Sequence, residues 1–406
     1  SLFMRKILYI SYDGASEPIP QAQAMPYLRE LQKKGLEIYW ISFDKKNAFK
    51  SSSDKEDFKN NLLLKGINWH SLSYHKGSFL SAKIFDLIMG IIYAIYIAIK
   101  EKVDFVHGRA ELASTIAYVL KKLLKKKFIY DRRGFMAEDY IEGGMWKSRN
   151  GLNYKALVSI DKLLLSEAEV VVVLTERIKN KLSNGSNLKD KIFVIPCCVD
   201  LNKFTLKKNR ALLLDLSLDD KFIFLYSGSI GTWYMLEEMV DFFLLAKKRV
   251  PNAHFLILTL ADIEVVKTRI KNKIDRLDDF TIKGVPPSVV QEYISLADVA
   301  IAFIKPVYSK LSSSPTKFGE CLASGLPFVI NSNIGDTDKL IRQHKVGAVV
   351  ENFSEDGYKK AIDEIIALNK DKEALRYRCR DFTTTYMSLA GGVNKYWEVY
   401  KKMIPI

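Results

Sequence analysis

Cysteine is scarce in this chain: 406 residues hold four, Cys197, Cys198, Cys321 and Cys379. Neither the adjacent pair nor the distant pair has the spacing of a zinc site or a disulfide framework. A disulfide-stapled secreted scaffold is thereby excluded, and a reducing cytoplasm is the expected compartment. Acidic residues are also short, 47 against 62 basic ones, which leaves a net charge of +15. An excess of that size favours polyanions: nucleic acid, phosphorylated substrates or an anionic membrane face. Nucleic acid is set aside, because the sequence holds no zinc finger, no helix-turn-helix signature and no aromatic-basic interleaving on strands. Internal repeats and low-complexity tracts are missing as well. The start MRKILYISYDG turns polar before a secretory leader could form, and the residues ahead of Met4 read as a cloning remnant. The most apolar stretch, 84–99, is interrupted by Asp86 and Gly90 and bounded by Lys83 and Lys100. A transmembrane span needs ~20 apolar residues, so this stretch reads as a buried helix in preference to a membrane-lying one.

What the chain does have is the balance of a globular protein, 48% hydrophobic and 27% charged, at a length suited to two cores rather than one. Short apolar runs alternate with segments of helical period, the signature of βαβ construction. In the first half the strand candidates are 6–11, 36–42, 67–72, 104–107, 128–131, 170–175 and 192–196. In the second half they are 222–228, 255–259, 281–284, 299–303, 327–331 and 346–350. The expected fold class is therefore α/β, with two Rossmann-like doubly wound domains facing across a cleft and ligands at the carboxyl ends of the strands. The charged segment 200–220 has little strand character and marks the boundary. Domains are expected at 1–203 and 204–385, with a final helix, 386–406, packing back on the first. The cluster Lys121, Lys122, Lys125, Lys126 and Lys127 closes a helix, where cations suit the terminus; an anionic-lipid contact is the sharper alternative.

After the run 299–303 the chain reads IKPVYSKLSSSPTKFGECLASGLPFVI. A polar loop enters a helix near Pro315, with serines placed to cap it. Such a helix end offers free N–H groups and positive potential, the physics of a phosphate site. Lys317 stands in the first turn, where the macrodipole disfavours a cation unless an anion is present. Glu320, three residues on, can face the same side and accept hydrogen bonds from a ribose diol, as acidic residues do in dinucleotide sites. The blander reading pairs Lys317 with Glu320 on a solvated helix. In the first half, Gly14 lets the backbone approach a ligand closely. His107 ends one strand, with Arg109 just beyond, and Asp131 and Arg132 end the next. Charges at the carboxyl ends of buried strands must be solvated or bound, so Asp131 and Arg132 are expected at the reaction centre, and Glu138, Asp139 and Glu142 at an acceptor. Asp336-Thr337-Asp338 has a metal-diphosphate form, but helix capping explains it better, and no metal is assigned.

The order ISYDGASEPIPQAQAMPYLRELQKKGLEI, VVVLTERIKNKL, VIPCCVDLNKF, YSGSIGTWYMLEEMVDFF, ISLADVAIAFIKP and ECLASGLPFVI resembles bacterial members of the retaining glycosyltransferases of family 4, which have the GT-B fold. The resemblance implies a hexosyl transfer from a nucleotide-diphosphate sugar, which is a co-substrate rather than a cofactor, to a polysaccharide or lipid-linked saccharide of the cell envelope. It assigns the donor to Gly228, Ser229, Gly231, Ser312, Ser313, Ser314, Pro315, Thr316, Lys317 and Glu320. The residues read in the first half then stand as its counterparts: Asp131, Arg132 and His107 at the chemistry, although a strand-end histidine is more often structural, and Gly14, Arg109, Glu138 and Glu142 at the acceptor. The implied location is the cytoplasm, with the inner membrane face as a peripheral partner. Two departures stand out. Many members carry a sugar-contacting glutamate where this chain has Ser312, and an arginine and lysine gripping the diphosphate where it reads GSIGTWYML. Lys317, Lys310 or Arg132 are the cations left to replace them. The other readings are a nucleotide-sugar epimerase of the same fold and a non-catalytic sugar-nucleotide or glycan-binding protein.

Overall fold

A computed structural model describes residues 5–77 and 79–404; the residues ahead of Met4 lie outside it. The chain forms two compact units, Ser1–Pro196 with Leu389–Ile406, and Cys197–Ser388. The first holds a parallel sheet of seven strands: β1 (Arg5–Ser11), β2 (Leu36–Asp44), β3 (Ile67–Ser73), β4 (Phe105–Arg109), β5 (Lys127–Asp131), β6 (Val170–Val173) and β7 (Ile192–Val194). Their order is β3-β2-β1-β4-β5-β6-β7. The second unit holds six, β8 (Phe222–Ser227), β9 (Ala253–Leu258), β10 (Phe280–Lys283), β11 (Val299–Ala302), β12 (Phe328–Asn331) and β13 (Gly347–Val350), in the order β10-β9-β8-β11-β12-β13.

Continuous apolar strands such as VVVV in β6 and FLIL in β9 are buried along their length. A parallel sheet must be covered by helices on both faces, so it leaves no polar side to alternate with. Strand order reverses between β1 and β4 and again between β8 and β11, which makes each of these a switch point where neighbouring loops diverge and leave room for a ligand. Gly14 and Arg109 stand at the first, and the segments after β8 and β11 at the second.

The second unit begins at Cys197, ahead of the boundary expected at 203/204. Its tethers explain this. The Cys197 N–H donates to Ser314 Oγ (3.1 Å) and the Val199 N–H to the Met387 carbonyl (2.8 Å). Arg380 donates to the carbonyls of Leu201, Phe204 and Ala323. The charged segment 200–220 therefore belongs to the second unit, with Leu213 and Leu218 buried in its core. The helix Leu389–Met403 belongs to the first unit, where Tyr396 meets Tyr27 of the helix Met25–Gln32 at 5.4 Å between ring centres.

The helix Phe79–Lys100 departs from the expectation of full burial. Ile84, Phe85, Ile88, Met89, Ile92, Tyr96 and Ile99 are exposed. Asp86, which interrupts the apolar run in sequence, is fully buried on the inner side and accepts hydrogen bonds from the Tyr12 hydroxyl and the His75 N–H.

Candidate functional site

At the switch point of the second unit, two segments are zipped together. The Met235 N–H donates to the Phe303 carbonyl and the Lys305 N–H to the Trp233 carbonyl, both at 2.9 Å. Asn331, at the end of β12, holds Ile304 by its N–H and its carbonyl at 2.8 and 2.7 Å. This pairing carries Trp233 and Tyr234 to the side chains of the loop 305–317. Lys317 Nζ lies 3.6 Å from the centre of the Tyr234 ring and 4.7 Å from that of Tyr226, and it donates to the Tyr226 hydroxyl at 3.4 Å. Lys310 Nζ lies 3.7 Å over the Trp233 ring. Electron-rich ring faces suit ammonium groups, and more so once water is displaced.

Gly228 follows β8 with φ +152°, and a Cβ there would fall 2.5 Å from Lys317 Nζ. The amine thus fills the space that the missing side chain leaves open, against the backbone that begins the Ser229–Gly231 loop. Burial pushes the Lys317 amine down to about 7, with Cys321 and Glu320 opposing. Glu320 stands one turn further along the helix Thr316–Ala323, and burial raises its carboxyl against the pull of Lys317 and Lys203. Among the described residues neither Lys317 nor Glu320 forms an ion pair, so they do not satisfy one another as a solvated pair would. A cation and a carboxylate left in this state on one short helix are chemically able to meet a ligand bearing both an anion and donors.

Several expected contacts resolve differently. Pro315 is itself the N-cap, and no side chain caps the helix. Ser314 serves Cys197 instead, and Ser312 is buried with its hydroxyl donating to the Ser309 carbonyl at 2.7 Å. Ser312 is thus spent on the turn Tyr308–Ser312 and does not replace the sugar-contacting glutamate. Ser313 and Thr316 remain partly exposed beside Lys317, and Ser229 is exposed at the tip of its loop. Asp338 accepts from the N–H groups of Asn333 and Lys339, and the expected cap by Asp336 is not made.

In the first unit, the residues expected at the chemistry are engaged with one another. His107 is 2% exposed; its Nδ1 meets the Tyr400 hydroxyl at 2.7 Å and its Nε2 meets Asp131 at 2.9 Å. Tyr396 donates to the same Asp131 oxygen at 2.8 Å. Burial raises the Asp131 carboxyl, yet Arg133, His107 and Arg109 together hold it well below the usual carboxylate range. Arg132 is buried and grips Asp161 through Nε and one terminal nitrogen, both at 2.9 Å, with its guanidinium 4.0 Å over Phe135. A bidentate pair of this kind is a structural clamp, and it removes Arg132 from the cations open to a diphosphate. Both ring nitrogens of His107 are thus engaged within the first unit.

The acceptor candidates are likewise occupied. Gly14 approaches Asp44 rather than an open space: a Cβ there would lie 2.9 Å from the Asp44 carboxylate, which accepts from the Ala15 N–H. Glu138 binds Arg149 and the Tyr154 hydroxyl, and Glu142 lies 3.9 Å from Arg149. Arg109 is buried and pairs with Asp13 at 3.3 Å, while its Nε has no hydrogen-bond partner. Sequence reasoning missed Glu111, which is buried and whose carboxyl burial pushes up to about 7, with Asp161 adding to the rise. It also missed Tyr226, Trp233 and Tyr234. Their signal was legible: GTWYM places two aromatics where other chains place cations.

Residues 26–203 match the family model described as Glycosyltransferase Family 4, and residues 215–382 match the model described as Glycosyl transferases group 1. No curated protein matches the sequence. Among solved structures, the fold is similar to sucrose-phosphate synthase from Thermosynechococcus elongatus (TM-score 0.71, 16% identity, 98% of this chain and 99% of that one). It is similar to a glycosyltransferase from Rickettsia africae (TM-score 0.70, 18% identity, 98% of both chains). It is also similar to Anabaena HepE in complex with UDP and glucose (TM-score 0.70, 11% identity, 98% of this chain and 99% of that one).

Proposed function

The chain belongs to the group 1 glycosyltransferases of GT-B fold, and from that premise we propose that it moves a hexosyl group from a nucleotide-diphosphate sugar to a saccharide or lipid-linked saccharide, with retention at the sugar carbon. The observation that carries the reading is the Lys317 amine, held by two tyrosine rings in the space above Gly228, with an unpaired Glu320 one turn away. Lys317 meets the diphosphate and Glu320 the ribose. Lys310, over Trp233, stands as the second cation. The usual arginine and lysine of the loop after β8 are thus replaced by aromatics that hold two lysines, Lys310 from the segment after β11 and Lys317 from the helix that follows it. Neutral rings reproduce the charge at the subsite by positioning it, not by carrying it.

Transfer then asks three things of the protein: to stabilise the charge that gathers on the departing diphosphate, to shelter a sugar of oxocarbenium character and to orient the acceptor. The bond from the sugar carbon to the diphosphate oxygen breaks with its electron pair, the acceptor oxygen bonds on the same face, and the acceptor proton passes to the leaving phosphate. No separate base is needed. That suits a first unit in which His107 and Asp131 are engaged with each other. All four cysteines are free and buried, which supports a cytoplasmic setting.

A thermal-shift screen against nucleotides and nucleotide sugars tests the reading, because a ligand of the folded state raises its melting temperature. Glu320→Ala is expected to weaken the nucleotide that scores by roughly tenfold to a hundredfold, the worth of hydrogen bonds to a charged acceptor. Unchanged affinity would remove the ribose assignment. Turnover of the donor to an epimer with no acceptor present would replace transfer by epimerisation, and binding without turnover over an acceptor panel would leave a binding protein.

A further inference from the structure

We propose that the outer face of the helix Phe79–Lys100, with the lysines that close the neighbouring helix Ala110–Leu124, is a docking surface for an anionic lipid bilayer, on which the helix lies flat. The inference is independent of the transfer chemistry. Its first support is the pattern of exposure. Ile84, Phe85, Ile88, Met89, Ile92, Tyr96 and Ile99 are each between 42% and 59% exposed. Their spacing follows the helical repeat, so they form a single stripe about 22 Å long at 1.5 Å per residue. Apolar stripes of this extent on a folded surface mark interaction sites.

The inner face shows why the helix lies on a bilayer and does not cross it. Asp86 is turned inward to Tyr12 and His75. At Gly90 the helix presses so close that a Cβ would fall 2.7 Å from the Ile116 side chain and 2.8 Å from Phe43. Spanning would tear that face from the sheet and carry a carboxylate into hydrocarbon. Lying flat leaves every inner contact intact.

Charge identifies the occupant. Both helices run antiparallel to β4 and pack on the same side of the sheet, so their carboxyl ends share one end of the unit. Lys100 and Lys102 stand at one helix end; Lys125, Lys126 and Lys127 stand at the other, beside Leu123 at 62% exposed. Lys121 and Lys122 are neutralised by Glu167 and Glu169, and Glu101 by Lys100. Among the described residues Lys102, Lys125, Lys126 and Lys127 have no acidic partner. Isoleucines along the length, lysines at one end and no acid on the outer face match an interfacial helix on anionic headgroups. A protein interface of this size would instead be anchored by tryptophan, tyrosine or arginine at its centre, where this stripe has Ile88, Met89 and Ile92 and carries Tyr96 towards one end.

The test is cosedimentation of the full chain with vesicles of equimolar phosphatidylglycerol and phosphatidylcholine, against vesicles of phosphatidylcholine alone. Binding is expected to the anionic vesicles only and to weaken with salt. Ile88→Glu combined with Ile92→Glu should lower the bound fraction about tenfold or more by setting charge at the acyl boundary, with the melting temperature unchanged. Lys125→Glu with Lys126→Glu should weaken binding without abolishing it. Wild-type binding by the double isoleucine variant would overturn the proposal. So would equal binding to neutral vesicles, or a dimer in sedimentation velocity that the isoleucine variant dissociates while no vesicle is bound, since a second copy would then cover the stripe.

Discussion

Lys317 carries the donor reading because three separate facts meet at its amine: a glycine that makes room, two rings that hold it and no carboxylate that pairs with it. Its proton affinity adds a measurable consequence. The folded amine is pushed down to about 7 by burial, below its ordinary value near 10.5. A bound diphosphate restores the charged form, so binding draws in a proton above pH 7. Affinity for a nucleotide sugar, whose diphosphate does not titrate near neutrality, is then expected to fall by up to about tenfold for each pH unit above 7. Calorimetry in buffers of differing ionisation enthalpy would register the proton uptake, and a flat profile in wild type would refute it. The same shift acts on stability with a definite sign: between about 7 and 10.5 the unfolded chain holds this proton and the folded one does not, so the contribution of Lys317 to stability rises with pH across that window. The sequence showed Lys317 and Glu320 as a pair of charges on one helix. It could not show that they leave each other unpaired, because that depends on Tyr226 and Tyr234, which are distant in the chain.

At the scale of elements, the site is made by two loops whose positions are dictated by the reversal of strand order between β8 and β11. Gly228 is where the first loop meets the helix of the second. Gly228→Ala should push the amine aside, because a Cβ would stand 2.5 Å from it, and so weaken nucleotide binding to much the same degree as Lys317→Ala. The two changes act on one contact, so the double variant is expected to bind no worse than the poorer single one by more than about 0.5 kcal/mol. Fully additive losses in a titration series would show that the glycine acts elsewhere. The strands themselves were readable from apolar runs, since a parallel sheet buried on both faces writes itself as unbroken hydrophobic segments. The helix Phe79–Lys100 was not. Its composition is the same whether one side or all sides are covered, and only packing decides that Asp86 turns inward while its isoleucines turn out.

For the whole molecule, the final helix Leu389–Met403 returns to the first unit and supplies the Tyr396 and Tyr400 hydroxyls that hold Asp131 and His107. A chain ending at Ser388 loses both hydrogen bonds and the burial of Val399, Tyr400 and Met403, each worth ~1.5–3 kcal/mol when fully removed from water. Scanning calorimetry should show the transition of the first unit displaced to lower temperature while that of the second stays in place; an unmoved transition would mean that the helix is an ornament. By itself the sequence determined the fold class, the thirteen strands of the described residues in their two sets and the order of the family motifs, because hydrophobic period and local motif are properties of neighbours in the chain. The tertiary structure decided which polar and charged groups are spent. Arg132 is locked by Asp161, Glu138 by Arg149 and Ser312 by its own turn. Lys317 and Glu320 are left over, since pairing, burial and exposure are relations between residues that only the folded chain brings together.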